Sequence, residues 1–426
     1  MTFDPYRVDV SSDFIWQAPA ELQSRIELVR LVSKPTAEHS IGDKLRQAIN
    51  ATHLDVKLNQ LVTPGDRVAL AVDPQTPSLI PLLKALLSEL ILLGADLRES
   101  KIVLPEHANK IASSIQSALS SDTALSEIQV ILHHGTDRSA ISYLGANEAG
   151  DPIYMARALA DADVVIPLFT SHVERNGQQT VEANFLYRNF AGTLLAEPVK
   201  DRKREKQKPL TLEKTNEKQS SQAAHEAFWL LGVLYGIAVA PGAGGEAEFI
   251  FAGNHKQLDQ AMTKAQSNWM CRRVAPAGLV IAEISGGIEQ QNWEAVGRAL
   301  ELSSELTESG GIVVLLCDVA DSKASRKSFQ TACKRGAVAK AGEDHGVSVF
   351  ASALDAVRGS NPVFLKSQLT EEVTEDLGMG FISKPAELSR LIERLPRTIL
   401  IRDAQHVRLE TDSSPNSPLH QGAHVN

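Results

Sequence analysis

Cysteine is almost missing from this 426-residue chain: Cys271, Cys317 and Cys333 are the three, and none of them forms a Cys-x-x-Cys pair. That is unlike a disulfide framework or a thiolate zinc site, so the three read as buried thiols of a reducing compartment. Positive charge is in deficit too, with 43 Lys and Arg against 52 Asp and Glu and a formal net charge of −9. Broad nucleic-acid or anionic-membrane binding needs the opposite balance, so a small-molecule substrate is the expected partner. No stretch approaches the roughly 18 apolar residues of a membrane span. The longest, 79–93, is broken by Pro81, Lys84, Ser88 and Glu89 and reads as a helix buried against a sheet. The opening Met-Thr-Phe-Asp-Pro-Tyr-Arg has no basic start followed by an apolar core, and a cytoplasmic location is expected. A phosphate loop is lacking as well. The glycines at 242–245 have neither Gly-x-Gly-x-x-Gly spacing nor a Walker Lys-Ser/Thr ending, and they read as a hairpin turn between strands 235–240 and 247–252.

What is present is alternation. At 43% hydrophobic and 22% charged residues the chain has an ordinary globular composition, and its length points to two domains. From residue 67, short β-branched runs alternate with longer helical patterns: strand 67–72, helix 79–93, strand 101–104, helix 108–120, strand 128–132, helix 153–159 and strand 163–168. A second series follows a linking helix at 254–269: strand 278–283, helix 290–306, strand 311–317, helix 323–334, strand 347–350, short helix 354–358, strand 363–366, helix 386–394 and strand 398–401. Such alternation implies βαβ units. The expected fold is α/β, two α/β domains with mainly parallel sheets and an inter-domain cleft as the natural ligand site. The N-terminal domain is expected over 1–270, the C-terminal domain over 271–410 and a disordered tail over 411–426. The run at 200–222, highly charged, without apolar periodicity and holding Pro209, reads as a solvated surface insertion.

The residues able to carry chemistry fall just beyond strand-like runs. They are Asp73 in Ala-Val-Asp-Pro-Gln-Thr-Pro, His107 in Leu-Pro-Glu-His-Ala, His133 and His134 in Leu-His-His-Gly-Thr-Asp, and His172 in Thr-Ser-His-Val-Glu. Ligands of open parallel sheets collect outside the carboxyl ends of strands, so His107 and His172 are placed to face one substrate from opposite sides, a racemase-like layout. Against this, loops after strands are rich in polar residues anyway, and most of the 12 histidines are expected to be solvated or capping. A zinc site built from His107, His133, His134 and His172 would need at least three to converge, whereas His133 and His134 point opposite ways if both extend a strand.

The order of these segments resembles the nickel-dependent lactate racemase family. Val-Asp-Pro-Gln-Thr-Pro (72–77), Pro-Glu-His-Ala (105–108), Leu-His-His-Gly (132–135) and Thr-Ser-His-Val (170–173) stand in the family's order with similar spacing. The phrase 142–166, with 249–253 and the strand 311–316, extends the likeness over about residues 60–320. The resemblance implies a racemase or epimerase of a small 2-hydroxy acid, in which His107 and His172 alternate as base and acid at the hydroxyl. It also implies a nickel pincer nucleotide as cofactor, and Asp73, Thr76, Trp293 and Arg298 as substrate- or cofactor-binding residues.

Three positions depart from the family. The segment 176–190, where the family's cofactor-tethering lysine falls, contains none, which argues against a covalent tether. The arginine expected after Thr76 is Pro77, and the lysine of a Tyr-Gln-x-x-Lys helix falls on Gly297 beside Arg298. No histidine stands out as a nickel ligand, since His225 lies in a helical pattern that suits a structural role. The contrasting expectation is a degenerate, non-catalytic relative that binds a small anion or a protein partner. Oligomeric state is left open by the sequence.

Overall fold

The computed structural model describes residues 4–30, 39–51, 54–148, 150–171, 182–192, 222–265, 270–271, 274–287, 289–320 and 345–409. These form two compact units. A central unit comprises Thr36–Pro241 and Ala247–Lys264, and a terminal unit comprises Met1–Pro35, Gly242–Glu246 and Ala265–Asn426. The chain opens in the terminal unit with an antiparallel hairpin, β1 (Arg7–Ser11) and β2 (Phe14–Gln17), and then β3 (Ile26–Val29).

In the central unit, β4 (Val68–Val72), β5 (Lys101–Pro105) and β6 (Gln129–His133) are followed by a hairpin of β7 (Ile141–Ala146) and β8 (Pro152–Ala156). Then come β9 (Val164–Thr170), β10 (Gly236–Pro241) and β11 (Ala247–Gly253). The sheet order is β11-β10-β9-β4-β5-β6, parallel throughout except for β11. β4 and β9 are buried along their whole length, as strands covered on both faces must be. Val68, Leu70, Val72, Ile166 and Leu168 face one core, into which the helix Leu79–Leu92 delivers Leu79, Leu82, Leu83, Leu86, Leu87 and Leu90. The alternate residues Ala69, Ala71, Val165 and Phe169 face the other. Because the chain builds outward from β4 to β6 and then returns to β9 on the opposite side, the order reverses between β4 and β9. That reversal opens a crevice at the carboxyl edge.

The terminal unit resumes with β12 (Met270–Cys271), β13 (Ala277–Glu283), β14 (Thr307–Leu316), β15 (Val363–Lys366), β16 (Gly380–Phe381), β17 (Thr398–Ile401) and β18 (Arg408–Leu409). Its main sheet runs β16-β15-β14-β13-β17-β3, all parallel, while β12 and β18 pair separately. The order reverses again, here between β13 and β17.

Three local expectations change. Residues 153–159 are not one helix: Ile153 and Met155, alternately buried, belong to β8 and pair with β7, and only Arg157–Ala160 is helical. Residues 347–350 are not a strand but part of the helix His345–Val357, because Val347, Phe350, Ala351, Leu354 and Val357 recur at helical spacing on a buried face. Residues 1–35 group with the terminal unit rather than with a domain 1–270, since β3 pairs in parallel with β17 from Ile26↔Thr398 to Val29↔Ile401. The expected helix 323–334, the insertion up to residue 221 and the tail 411–426 lie outside the described residues. Among those residues, no helix is long and apolar enough to cross a membrane.

Candidate functional site

At the β4–β9 crevice of the central unit, Asp73 leaves β4 and ties its loop to the neighbouring strand. Its N–H donates to the Leu168 carbonyl (2.8 Å), its Oδ1 accepts from the Gln75 N–H (2.9 Å) and its Oδ2 accepts from the Thr170 N–H (3.1 Å). The carboxylate thus holds the loop in shape. Next to it are two buried hydroxyls without a hydrogen-bond partner, Thr76 Oγ1 and Thr170 Oγ1, on residues 4% and 5% exposed, while Ser171 Oγ, also buried and unpartnered, is turned by strand alternation to the opposite face. Thr170 shares its strand face with Ile166 and Leu168, the face that the helix after Thr76 covers. That helix starts from Ser78 at φ 53° with no side-chain cap on its first turn. Each orphaned hydroxyl costs about 1–3 kcal/mol in a fold with nothing to satisfy it. Thr76 and Thr170, whose backbone N–H groups both donate to Asp73, stand beside an uncapped helix start and make a polar receptor for a small ligand. Asp73 and Thr76 were legible as strand-end residues, whereas Thr170 and Ser171 look like ordinary strand termination in sequence.

His107 is exposed in the turn where the Ala108 N–H donates to the Pro105 carbonyl, and His172 lies outside the described residues. His133 is buried with Nε2 3.3 Å from the Ala191 carbonyl oxygen, and burial holds its pKa below the usual histidine value. Its neighbour His134 is half-exposed, with Nδ1 3.2 Å from Glu106. The pair diverges as alternation requires, and among the described residues no group of three His, Cys, Asp or Glu side chains is placed to hold a metal ion.

The terminal unit builds its own crevice where β13 and β17 end. Asp403 adopts φ 54°, and it and Ser78 are the positive-φ non-glycine residues among those described. Both lie at the reversal points of their sheets, and such backbone outliers cluster at functional sites. The Asp403 carboxylate accepts from the Gly244 N–H (2.8 Å) and the Ser285 hydroxyl, while Gln405 Nε2 donates to the Ser285 carbonyl (3.0 Å). Burial raises the Asp403 pKa above the usual carboxylate range. Beneath the turn, Glu283 and Arg402 form a buried ion pair, and burial still pushes Glu283 up to about 7, against the pull of Arg402. His406 follows, its N–H donating to the Asp403 carbonyl (2.9 Å), with both ring nitrogens buried and unpartnered. Nothing local in the sequence marks this set, because Ser285 and Asp403 meet only through the pairing of β13 with β17.

Trp293 and Arg298 lie on the helix Trp293–Glu305 of the same unit. The Trp293 indole N–H is buried without a partner, and its ring packs on Phe350 at 4.7 Å between centroids. Arg298 is paired with Glu294 one turn earlier, both side chains mostly buried. Gly297 cannot carry a longer side chain: a Cβ there would stand 2.8 Å from the Phe350 backbone nitrogen and 2.9 Å from its Cα.

These features define an α/β protein of two units, each with a polar crevice at the carboxyl edge of a mainly parallel sheet. Residues 18–173 match the lactate racemase N-terminal domain. The match covers little more than a third of the 426-residue chain. Its fold is similar to that of the lactate racemase apoprotein from Thermoanaerobacterium thermosaccharolyticum, with TM-score 0.65 at 12% identity over 95% of this chain and 100% of the other. It is also similar to a protein from Thermotoga maritima, with TM-score 0.53 at 12% identity over 87% and 97%. No curated protein matches the sequence.

The residues present do not fit the tethered nickel nucleotide that the resemblance implies. Segment 176–190 offers no lysine, Gly297 has no room for one, and the described residues assemble no metal-ligand group.

Proposed function

We propose that this protein binds a small 2-hydroxy acid or a related anion at the β4–β9 crevice of the central unit, where His107 and His172 serve as the acid–base pair at the hydroxyl. The observation that carries the reading is the pair of unpartnered buried hydroxyls, Thr76 and Thr170, on residues whose N–H groups donate to Asp73. Hydroxyls both donate and accept, so they suit a ligand that is itself a hydroxyl and a carboxylate. An imidazole with a pKa near 6.5 takes or gives a proton at neutral pH, and a racemase needs one on each face. Trp293 and Arg298 are assigned as further ligand contacts in the terminal unit, and a cytoplasmic location belongs to the same reading.

A second reading, a non-catalytic relative that keeps only the binding function, is favoured by specific observations. Arg298 is already neutralised by Glu294, Gly297 has no room for a lysine, and segment 176–190 contains none. Chiral chromatography after incubation with L-lactate, together with calorimetric titration, separates the two. Conversion to the D-enantiomer that disappears in His107→Ala and His172→Ala supports the acid–base pair. Saturable binding without conversion supports the second reading, and neither binding nor conversion of lactate, glycerate or malate refutes both.

A further inference from the structure

Among the described residues of the terminal unit, His406 is the side chain with two buried polar atoms left without a partner. Both of its ring nitrogens are shut off from solvent and lack a hydrogen-bond partner. A neutral imidazole has one N–H to donate and one lone pair to fill, and no protein group meets either. Its position is fixed from several sides. The Asp403 turn is clamped by the Gly244 N–H and the Ser285 hydroxyl, the Ala404 N–H donates to the Glu283 carbonyl (2.8 Å), and Gln405 grips the Ser285 backbone. A histidine left idle by accident would not need a turn so heavily fastened, with a left-handed aspartate at its start.

The surroundings set the charge of the ring. Arg298 and Arg408 stand near the ring and, with burial as the larger cause, push its pKa down to about 3. The imidazole is therefore neutral, with one ring N–H to donate, which suits an acceptor such as a carboxylate oxygen. The location agrees with the sheet: β13 and β17 are the strands between which the order reverses, the place where open parallel sheets take ligands. Trp293, at the start of the helix that leaves β13, adds a second buried N–H without an acceptor.

We propose that His406 is a ligand-contacting residue of the terminal unit, its neutral ring N–H donating to the carboxylate of a small organic acid at the β13–β17 crevice. This rests on the reading of the protein as a binder of small organic acids, and it adds a residue that neither the motifs nor the resemblance singles out.

The test follows the ring itself. In the full-length protein carrying 15N-labelled histidine, His406 is recognised as the imidazole that stays neutral into acid and whose signals vanish in His406→Gln. Sodium L-lactate and sodium acetate are titrated in, with sodium chloride at equal ionic strength as control. Saturable movement of the His406 ring nitrogens with either carboxylate but not with chloride is the expected result, with binding at least fivefold weaker in His406→Gln. Should His406→Gln fail to fold, the wild-type ring signals still decide. Ring signals that stay still while lactate saturates the protein overturn the assignment and leave the central-unit reading standing. Movement that persists in Thr170→Val, with binding otherwise unchanged there, upholds His406 and removes the central-unit reading. Ring signals indifferent to both carboxylates, or equally responsive to chloride, overturn it outright.

Discussion

Replacing Thr170 by Val keeps the shape of a β-branched strand residue and removes one oxygen. In most buried positions that change is destabilising, because the hydroxyl's partner is left behind. Thr170 Oγ1 has no partner and its residue is 5% exposed, so the ligand-free protein should instead gain about 1–3 kcal/mol, the cost of keeping an orphaned hydroxyl out of water. Val also suits the last position of β9, with Leu168 two residues before it on the same face. For a unit of this size, each kcal/mol moves the midpoint by roughly 2–4 °C, so the central unit's thermal transition should rise by about 2–12 °C. Differential scanning calorimetry reads this directly, and the two units are to be fitted as separate transitions. A midpoint that falls by a similar amount would mean that the hydroxyl is satisfied in the resting protein, and the argument from orphaned groups would fail.

Tyr235→Phe is the matching control away from the crevice. Its phenol is buried and unpartnered in the same core, so removing the oxygen should stabilise by about 1–3 kcal/mol and leave ligand binding untouched. Glu283 gives a pH signature. Its folded pKa of about 7 lies above its unfolded value, so the stability it contributes is full below about pH 4 and is lost as pH rises through 7. Relative to Glu283→Gln, the wild type should therefore lose about 3 kcal/mol between pH 4 and pH 8 in urea unfolding, and a constant difference between the two proteins would contradict this. Gly297→Ala should destabilise the terminal unit by about 1–3 kcal/mol despite alanine's better helix propensity of about 1 kcal/mol, because the new methyl meets Phe350 backbone atoms; an unchanged midpoint would show that the two helices can part.

The strand-by-strand alternation from residue 67 was readable because buried parallel strands are short apolar runs and their covering helices are long ones. The same cue placed 398–401 as the closing strand and 235–252 as a hairpin around glycines, observed as Gly236–Pro241 with Ala247–Gly253. It misread 347–350, where Val347 to Phe350 is one turn of a longer buried helix, because a few residues show no period. It was silent on β3, whose membership of the sheet is decided by pairing with a strand some 370 residues later. The same physics divides the site. Asp73 and Thr76 follow a strand, and their position is local information. Thr170 and Ser171 become notable only when their hydroxyls are seen to lack partners, and Asp403, Ser285 and His406 exist as a group only after β13 and β17 pair. The missing lysine at Gly297 was visible as a departure, but its reason, contact with Phe350, was not.

The central claim is that the β4–β9 crevice is where the small acid binds, and a calorimetric titration of L-lactate into wild type and the Thr76→Val/Thr170→Val double variant tests it most directly. Two lost hydrogen bonds at about 1 kcal/mol each predict affinity reduced by about tenfold or more, in a protein that is more stable than the wild type before ligand is added. Equal affinity in the two proteins would contradict the claim.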